Sequence, residues 1–589
     1  MSHDAAAKAL AGLATMMFML AAPREVAAFH APSALFRGFE APPLSRTAPF
    51  RCPPPITSAW AAHTGRLSPA QATSGPRPLC AATRVATTEG EAVAAAPAPP
   101  TVKGLVVAVA PKGIASKLDD RGEYASWHEV WEHVGRRVGW ADPSFEMQVF
   151  SSESLEPAGD GGDEGERDRF QRALASADVF VASAVPEGEG ARWAAEQVVE
   201  GGVKTRYCAT DCARELSALS QLGGFRPVPE RGEPPAWAQS LPEVLKGLVL
   251  GGSKADRTLW DTAGTFYGRA SSEDLMFMTL VLLDTYVAPV ARVTGLAKEY
   301  GLDTLYCMCT KCTKEIKECF TDKDCKACLD CLTACPPNDQ VCAYRCITSY
   351  ESQCMENFSL CILQKHNCMG NSAEIPNMPD PSPIAEFRGR PVTREMAEDL
   401  FIGWLGEGQL HWSWKVVCGQ NPAYDFFPNQ HQIFYRGKGK GAMWYDPVFR
   451  VETIKGEKVW RRRHYRVRHD KVPGTFWFSV LDNGVTSKEY WRIIDVADDF
   501  SWGVFYYAGA AAAAGQSYSG ALLVTPDGAW PQDEAMERVT AAFARCGIKM
   551  WEMFEVDNSE GSGDAPLGLP EQFQEKNRQP TDTLLAVAA

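Results

Sequence analysis

From residue 411 onward the chain alternates apolar and polar positions with period two, the pattern of strands that bury one face. Eight such runs are predicted, at 411–419, 430–436, 442–453, 457–469, 474–482, 487–495, 501–508 and 518–525. Turn residues separate most of them: Gly437-Lys-Gly-Lys-Gly, Lys455-Gly, Asp482-Asn-Gly and Thr525-Pro-Asp-Gly. Short strands at near-even spacing joined by tight turns predict an up-and-down barrel. Eight strands leave an interior wide enough for one small ligand. A helical period follows at 533–546, and the polar tail from 557 to 589 is expected to be disordered.

Residues 103–300 follow a different pattern. Short apolar runs at Val106–Ala110, Met147–Phe150, Val179–Ala182 and around Tyr207 alternate with helical spacing at Trp127–Val138, Arg167–Ser176 and Ala191–Val199. That alternation predicts an α/β layer with a parallel sheet. The apolar stretch Leu275–Val290 is broken by Asp284 and Pro289, and reads as a buried amphipathic helix rather than a membrane span. Neither GxGxxG nor GxxxxGK[ST] occurs, and Pro111-Lys-Gly-Ile-Ala is a weak phosphate loop. Cys208 and Cys212 read as buried, inert thiols rather than a redox or metal pair.

Cysteine usage changes the picture between these two regions. Thirteen of nineteen cysteines fall at 307, 309, 312, 319, 325, 328, 331, 335, 342, 346, 354, 361 and 368. Zinc modules use Cys-x2-Cys pairs, present at 309/312, 325/328 and 328/331. Those pairs overlap, however, and His366 is the lone histidine of the block. Spacings of three to seven place cysteines on one face of short helices such as Lys314–Phe320 and Gln340–Ser349, which favours disulfide-stapled helical hairpins. No metal is assigned. Thirteen is odd, so one thiol is free or pairs outside the block, with Cys418 a candidate. A disulfide framework requires an oxidising compartment.

The formal net charge of −14 argues against general nucleic-acid binding. One basic strand, Arg461-Arg-Arg-His-Tyr-Arg-Val-Arg-His469, reads as a solvated hairpin paired with local acids, with phosphate or anionic-lipid contact as the alternative. His431, His464 and His469 read as surface histidines. The N-terminus carries an apolar stretch after Lys8, then an acid-poor segment rich in Ser, Thr, Ala and Arg. The expected organisation is a signal peptide (1–28), a transit peptide and linker (29–100), the α/β domain (101–300), a cysteine-rich domain (301–372) and a linker (373–405). A barrel (406–530), a C-terminal helix (531–556) and the tail (557–589) follow. The fold class is thus multidomain α+β, its barrel and terminal helix in the lipocalin arrangement.

The order and spacing of eleven cysteines, 307, 309, 312, 319, 325, 331, 335, 342, 346, 361 and 368, resemble the cysteine run of violaxanthin de-epoxidases. The text Cys312-Thr-Lys-Glu-Ile-Lys-Glu-Cys-Phe is most similar to the branch called violaxanthin de-epoxidase-related, and the presequence resembles that of algae with complex plastids. Cys328 and Cys354 are extra to that run, and a bond between them would account for both. The resemblance covers about 305–530 and extends to Trp414-Lys-Val-Val-Cys-Gly-Gln-Asn421-Pro-Ala-Tyr-Asp425, where the family opens its barrel.

The resemblance implies epoxy-xanthophyll de-epoxidation inside the barrel, with ascorbate as reductant and no metal. Asp425 matches the family's acid catalyst and Tyr507 a tyrosine of its catalytic machinery. Gln430, Phe434, Tyr424, Trp491 and Tyr518 fall on pocket positions. The partners implied are an epoxy-xanthophyll of the violaxanthin or diadinoxanthin type and a thylakoid membrane surface, in the lumen of a plastid. Departures from the family pattern are Ala423, Glu489-Tyr490 before Trp491, Val524 and the Ala/Gly run after Tyr507. They keep two rivals open: a carotenoid-binding lipocalin without turnover, and an epoxide isomerase without reductant.

Overall fold

The computed structural model describes residues 102–116, 125–157, 162–210, 212–219, 272–293, 302–335, 339–403, 413–420, 427–574 and 577. The presequence and the pair Tyr424 and Asp425 lie outside the described residues. Among the described residues no helix is long and apolar enough to cross a membrane.

Strands β1 (Gly104–Ala110), β2 (Phe145–Ser151), β3 (Val179–Ala182) and β4 (Thr205–Cys208) form a parallel sheet in the order β2-β1-β3-β4. β1 is buried at every position because helices cover both faces. Helix α1 (Trp127–Ala141), started by Ser126 accepting from the Glu129 amide, and a later helix (Ser272–Tyr286) pack on one side. Helices α2 (Glu164–Leu174) and α3 (Glu189–Glu200) pack on the other, with the short α4 (Arg214–Leu219) beside them. The later helix, α5, is not amphipathic as expected. Every residue from Asp274 to Leu283 is buried, since the sheet, α1 and Trp551 from the far end of the chain all join its apolar cluster.

The cysteine block folds as α6 (Leu302–Lys311), α7 (Thr313–Thr321), α8 (Lys323–Ala334), α9 (Gln340–Ser349) and α10 (Gln353–Ser359), then one π-helical turn (Leu360–Lys365). Five disulfides staple it: Cys307–Cys368, Cys312–Cys361, Cys319–Cys325, Cys331–Cys346 and Cys335–Cys342. The nested last two clamp α8 against α9. Cys309, Cys328 and Cys354 lie outside these five bonds, and the expected Cys328–Cys354 bond is not formed. Cys328 and Cys354 share one apolar cluster instead, where burial pushes the Cys328 thiol up to about 11 and keeps it protonated.

Of the segment expected as a linker at 373–405, the described part through residue 403 is structured. It holds a small hairpin, β5 (Glu386–Phe387) with β6 (Arg390–Pro391), and helix α11 (Arg394–Ile402), whose last seven residues are all buried. The barrel is closed and antiparallel: β7 (Ser413–Gly419), β8 (His431–Arg436), β9 (Ala442–Glu452), β10 (Lys458–Arg462), β11 (Tyr465–His469), β12 (Thr475–Asp482), β13 (Val485–Val496), β14 (Gly503–Ala511) and β15 (Gln516–Thr525). β8 pairs with both β7 and β9 and so closes the ring. The fourth predicted run, 457–469, is divided into β10 and β11. Both pieces pair with β9, and the break falls opposite Pro447, which has no N–H to donate to the ladder.

Helix α12 (Asp533–Arg545) packs on the outer wall, and β16 (Phe554–Glu555) pairs with β7. The tail does not behave as expected through residue 577. Arg462 donates to the carbonyls of Pro566 and Gly568, α13 (Glu571–Gln574) buries Phe573 on Tyr435, and fully buried Asn577 accepts from the Arg436 amide. Leu569 and Phe573 supply the apolar anchors that its polar composition hid.

Candidate functional site: the barrel interior

The two ends of the barrel are closed by different elements. At one end α11 inserts Phe401 among Phe434, Phe476 and Phe505, with ring centroids 4.7, 4.5 and 5.0 Å away. Trp414 lies beneath it and donates from Nε1 to the Phe401 carbonyl at 2.9 Å. Arg436 ties the helix to the barrel rim, donating to Glu398 Oε2 at 2.9 Å and to Asp399, while His469 Nε2 lies 2.8 Å from Glu398 Oε1. Burial works against charge on Glu398, yet His469 and Arg436 hold its carboxyl below the usual range.

At the other end the disulfide domain meets the hairpin turns. Arg345 donates to the Glu452 and Thr453 carbonyls, and Ser349 Oγ accepts from the Ile454 amide at 2.7 Å. Gln364 accepts from the Thr486 amide at 2.8 Å, and Asn371 donates to the Ala513 carbonyl at 3.1 Å. Tyr344 packs on Phe427 and Phe449, whose ring centroids are 5.5 and 5.6 Å away.

Between plug and cap is a cavity of about 30 Å³ lined by Gln430, Gln432, Tyr465, Trp491, Tyr507 and Tyr518, with Glu489 among them. Glu489 is the one carboxyl of that lining among the described residues. Its Oε2 accepts from Trp491 Nε1 at 2.6 Å and its Oε1 from the Tyr518 hydroxyl at 2.8 Å. Burial raises its pKa despite both donors and the charge on Arg463. Two cross-strand rows build this wall: Glu489–Gly509–Tyr518 and Trp491–Tyr507–Gly520. A Cβ on Gly509 would lie 2.6 Å from the Tyr518 ring, and one on Gly520 would lie 2.7 Å from the Tyr507 hydroxyl. Each glycine makes room for the large partners in its row.

Residues 304–558 match the VDE lipocalin domain. That match covers less than half of the chain. The chain is similar to the violaxanthin de-epoxidase, chloroplastic, of Nicotiana tabacum, at 23% identity over 272 residues, 44% of this chain and 52% of that protein. It thus spans about half the length of that relative. Among solved structures, the siderocalin Ex-FABP covers 26% of this chain and 95% of its own at 9% identity, with a TM-score of 0.20. Lobster apocrustacyanin A1 covers 33% of this chain and 96% of its own at 12% identity, with a TM-score of 0.20.

Within the matched region the residues singled out from sequence separate into groups. Tyr507, Trp491, Tyr518 and Gln430 meet at the cavity, with Trp491 stacked on Tyr507 at 5.1 Å. Gln430 donates to the Phe427 carbonyl at 2.8 Å, so its amide serves the loop before β8. Phe434 lies deeper, stacked on Phe401 and Tyr445 in the plug core rather than at the cavity. Tyr424 and Asp425 lie outside the described residues.

Two of the three histidines depart from the surface expectation: His431 is buried and His469 joins the plug contacts, whereas His464 is exposed, stacked on Trp444 beside Asp446. Sequence reasoning passed over Gln432, Tyr445, Tyr465 and Phe401, and noted Glu489 only as a departure from the family pattern. The signal for Glu489 was present: it sits two residues from Trp491 on a period-two strand and so faces the same way. Phe401 carried no such signal, because its helix fell within a presumed linker.

Proposed function

We propose that this protein is a xanthophyll-modifying enzyme that opens an epoxide on a carotenoid end ring inside the barrel. One observation carries the reading: a buried carboxyl, Glu489, whose pKa burial raises, beside Tyr518 and Tyr507 at an aromatic-lined cavity. Protonation of the epoxide oxygen weakens the C–O bond, and a carboxylic acid with a raised pKa is suited to donate that proton. Asp425 remains the acid implied by family resemblance, and Glu489 is a second candidate. Tyr507 and Tyr518 orient the oxygen, and Trp491 walls the ring.

Reductive removal of the oxygen consumes two electrons and two protons and releases water, leaving a carbon–carbon double bond. Ascorbate, oxidised to dehydroascorbate, supplies those electrons in this reading. Gln430, Gln432 and the tyrosine hydroxyls offer hydrogen bonds to a hydroxylated reductant. A cavity of about 30 Å³, however, is the size of one or two waters, so neither pigment nor reductant enters the closed barrel. Binding therefore requires displacement of the plug or the cap. A plastid location follows from the relative's name, and the disulfides favour the thylakoid lumen over a reducing stroma.

The test is incubation of the purified protein with violaxanthin or diadinoxanthin at acid pH, with and without ascorbate. De-epoxidised pigment appearing only with ascorbate supports the reading, and its loss in Glu489→Gln or Asp425→Ala with pigment binding retained identifies the acid. Product of unchanged mass without ascorbate indicates isomerisation. Pigment bound but unaltered under both conditions indicates a carrier.

A further inference from the structure

We propose that the crevice at the β8–β9 turn, on the outer wall near the plugged end of the barrel, binds a phosphate-bearing anion. It encloses about 600 Å³, and the groups that concern a ligand are Lys438, Lys440, Arg466, Arg468, Trp444 and Phe573. Among the described residues, all four ionisable side chains of its lining are cations. In a chain of net charge −14, that local excess is not the background of the surface.

The neighbouring basic residues show what an ordinary structural arginine does in this fold. Arg461 pairs with Glu351, Arg462 with Asp446 and Arg463 with Asp482. Three residues further on, at Arg466, the pattern stops. Among the described residues Arg466, Arg468 and Lys440 form no ion pair, and Arg466 and Arg468 are exposed. Their cross-strand neighbours are uncharged: Arg466 stands between Trp444 and Ser479, and Arg468 between Ala442 and Trp477. The two guanidinium stems leave the same face of β11 about 6.6 Å apart, twice the rise per residue of a strand. That span suits two forks closing on oxygens of one phosphate or two linked phosphates.

The rest of the crevice fits the same ligand. Lys438 and Lys440, from the glycine-rich turn, line the same crevice. Trp444, held flat by its stack on His464 at 4.2 Å, and Phe573 give an apolar floor for whatever carries the phosphate. The carrier is either a soluble phosphorylated molecule or a phospholipid headgroup, and both present the same chemistry to the four cations. This inference is independent of the barrel chemistry and stands or falls without it.

The test uses the full chain, with pyrophosphate titrated calorimetrically and with phosphatidylcholine vesicles sedimented with and without phosphatidic acid. Arg466→Gln/Arg468→Gln is compared with Lys314→Gln/Lys317→Gln, an equal charge loss on exposed residues of α7. Binding weakened about tenfold or more in the first variant, unchanged in the second and reduced by added salt is the expected result. Pyrophosphate binding identifies a soluble ligand, and binding only to phosphatidic acid vesicles identifies a headgroup. Binding of neither probe, or equal binding by wild type and Arg466→Gln/Arg468→Gln, overturns the proposal.

Discussion

The Tyr518 hydroxyl donates to Glu489 Oε1 at 2.8 Å across Gly509, which pairs in register with both residues. The contact exists because the middle strand contributes no side chain. A methyl group there would press on the Tyr518 ring and on Glu489 Cγ, 2.6 and 2.8 Å away. Gly509→Ala is therefore expected to destabilise the barrel by about 1–3 kcal/mol, the usual cost of overpacking a filled core. Urea denaturation checks it, and unchanged stability would show that the row has slack.

Phe401→Ala should have two separable effects. Loss of a buried phenyl ring costs about 3–5 kcal/mol, read from the same denaturation curves. The vacated space joins an aromatic-lined interior, so the variant should also take up an apolar fluorophore that wild type excludes. A destabilised variant that still excludes the fluorophore would mean the interior collapses onto the gap.

His431 predicts an acid-sensitive component of stability. Burial, aided by the charge on Lys415, lowers its pKa to about 4, against about 6.5 in an unfolded chain. Below about 6.5 the unfolded chain takes a proton that the folded state refuses, so this stability is present above that pH and lost as pH falls towards 4. Between pH 7 and pH 5 the loss is about 2 kcal/mol. His431→Gln should flatten that part of the profile in denaturant titrations at the two pH values. An unaltered slope would assign the acid lability to other groups.

Cys328 and Cys354 should react with iodoacetamide when the protein is denatured without reductant, while the ten cysteines of the five disulfides stay unmodified until reduced. Mass spectrometry of the peptides reads this directly. A Cys328–Cys354 peptide pair joined by a disulfide would contradict the structure.

Much of the fold was legible because its elements carry strong periodicity. The strands of the α/β layer are short apolar runs, and the barrel strands alternate cleanly between turn residues. What escaped was structure whose signal lies in tertiary contact. α11 follows a proline-rich stretch that reads as a boundary, yet its apolar residues enter a barrel built from sequence downstream. The tail is polar, and its anchors Leu569 and Phe573 are too few to register in composition. The aromatic half of the candidate site was legible from period two and family resemblance. Its carboxyl was not, because Glu489 first looks like a displaced acid and only its bonds to Trp491 and Tyr518 show it buried in the wall.

The two closures of the barrel answer to different conditions. The plug is held by ring packing and by the ion pairs of Arg436, none of which involves a sulfur atom. The cap owes its stiffness to cross-links between helices that contribute few buried apolar side chains of their own. Thiol reductants should therefore loosen one end of the vessel and leave the other shut, so the redox poise of the compartment decides through which mouth a guest passes.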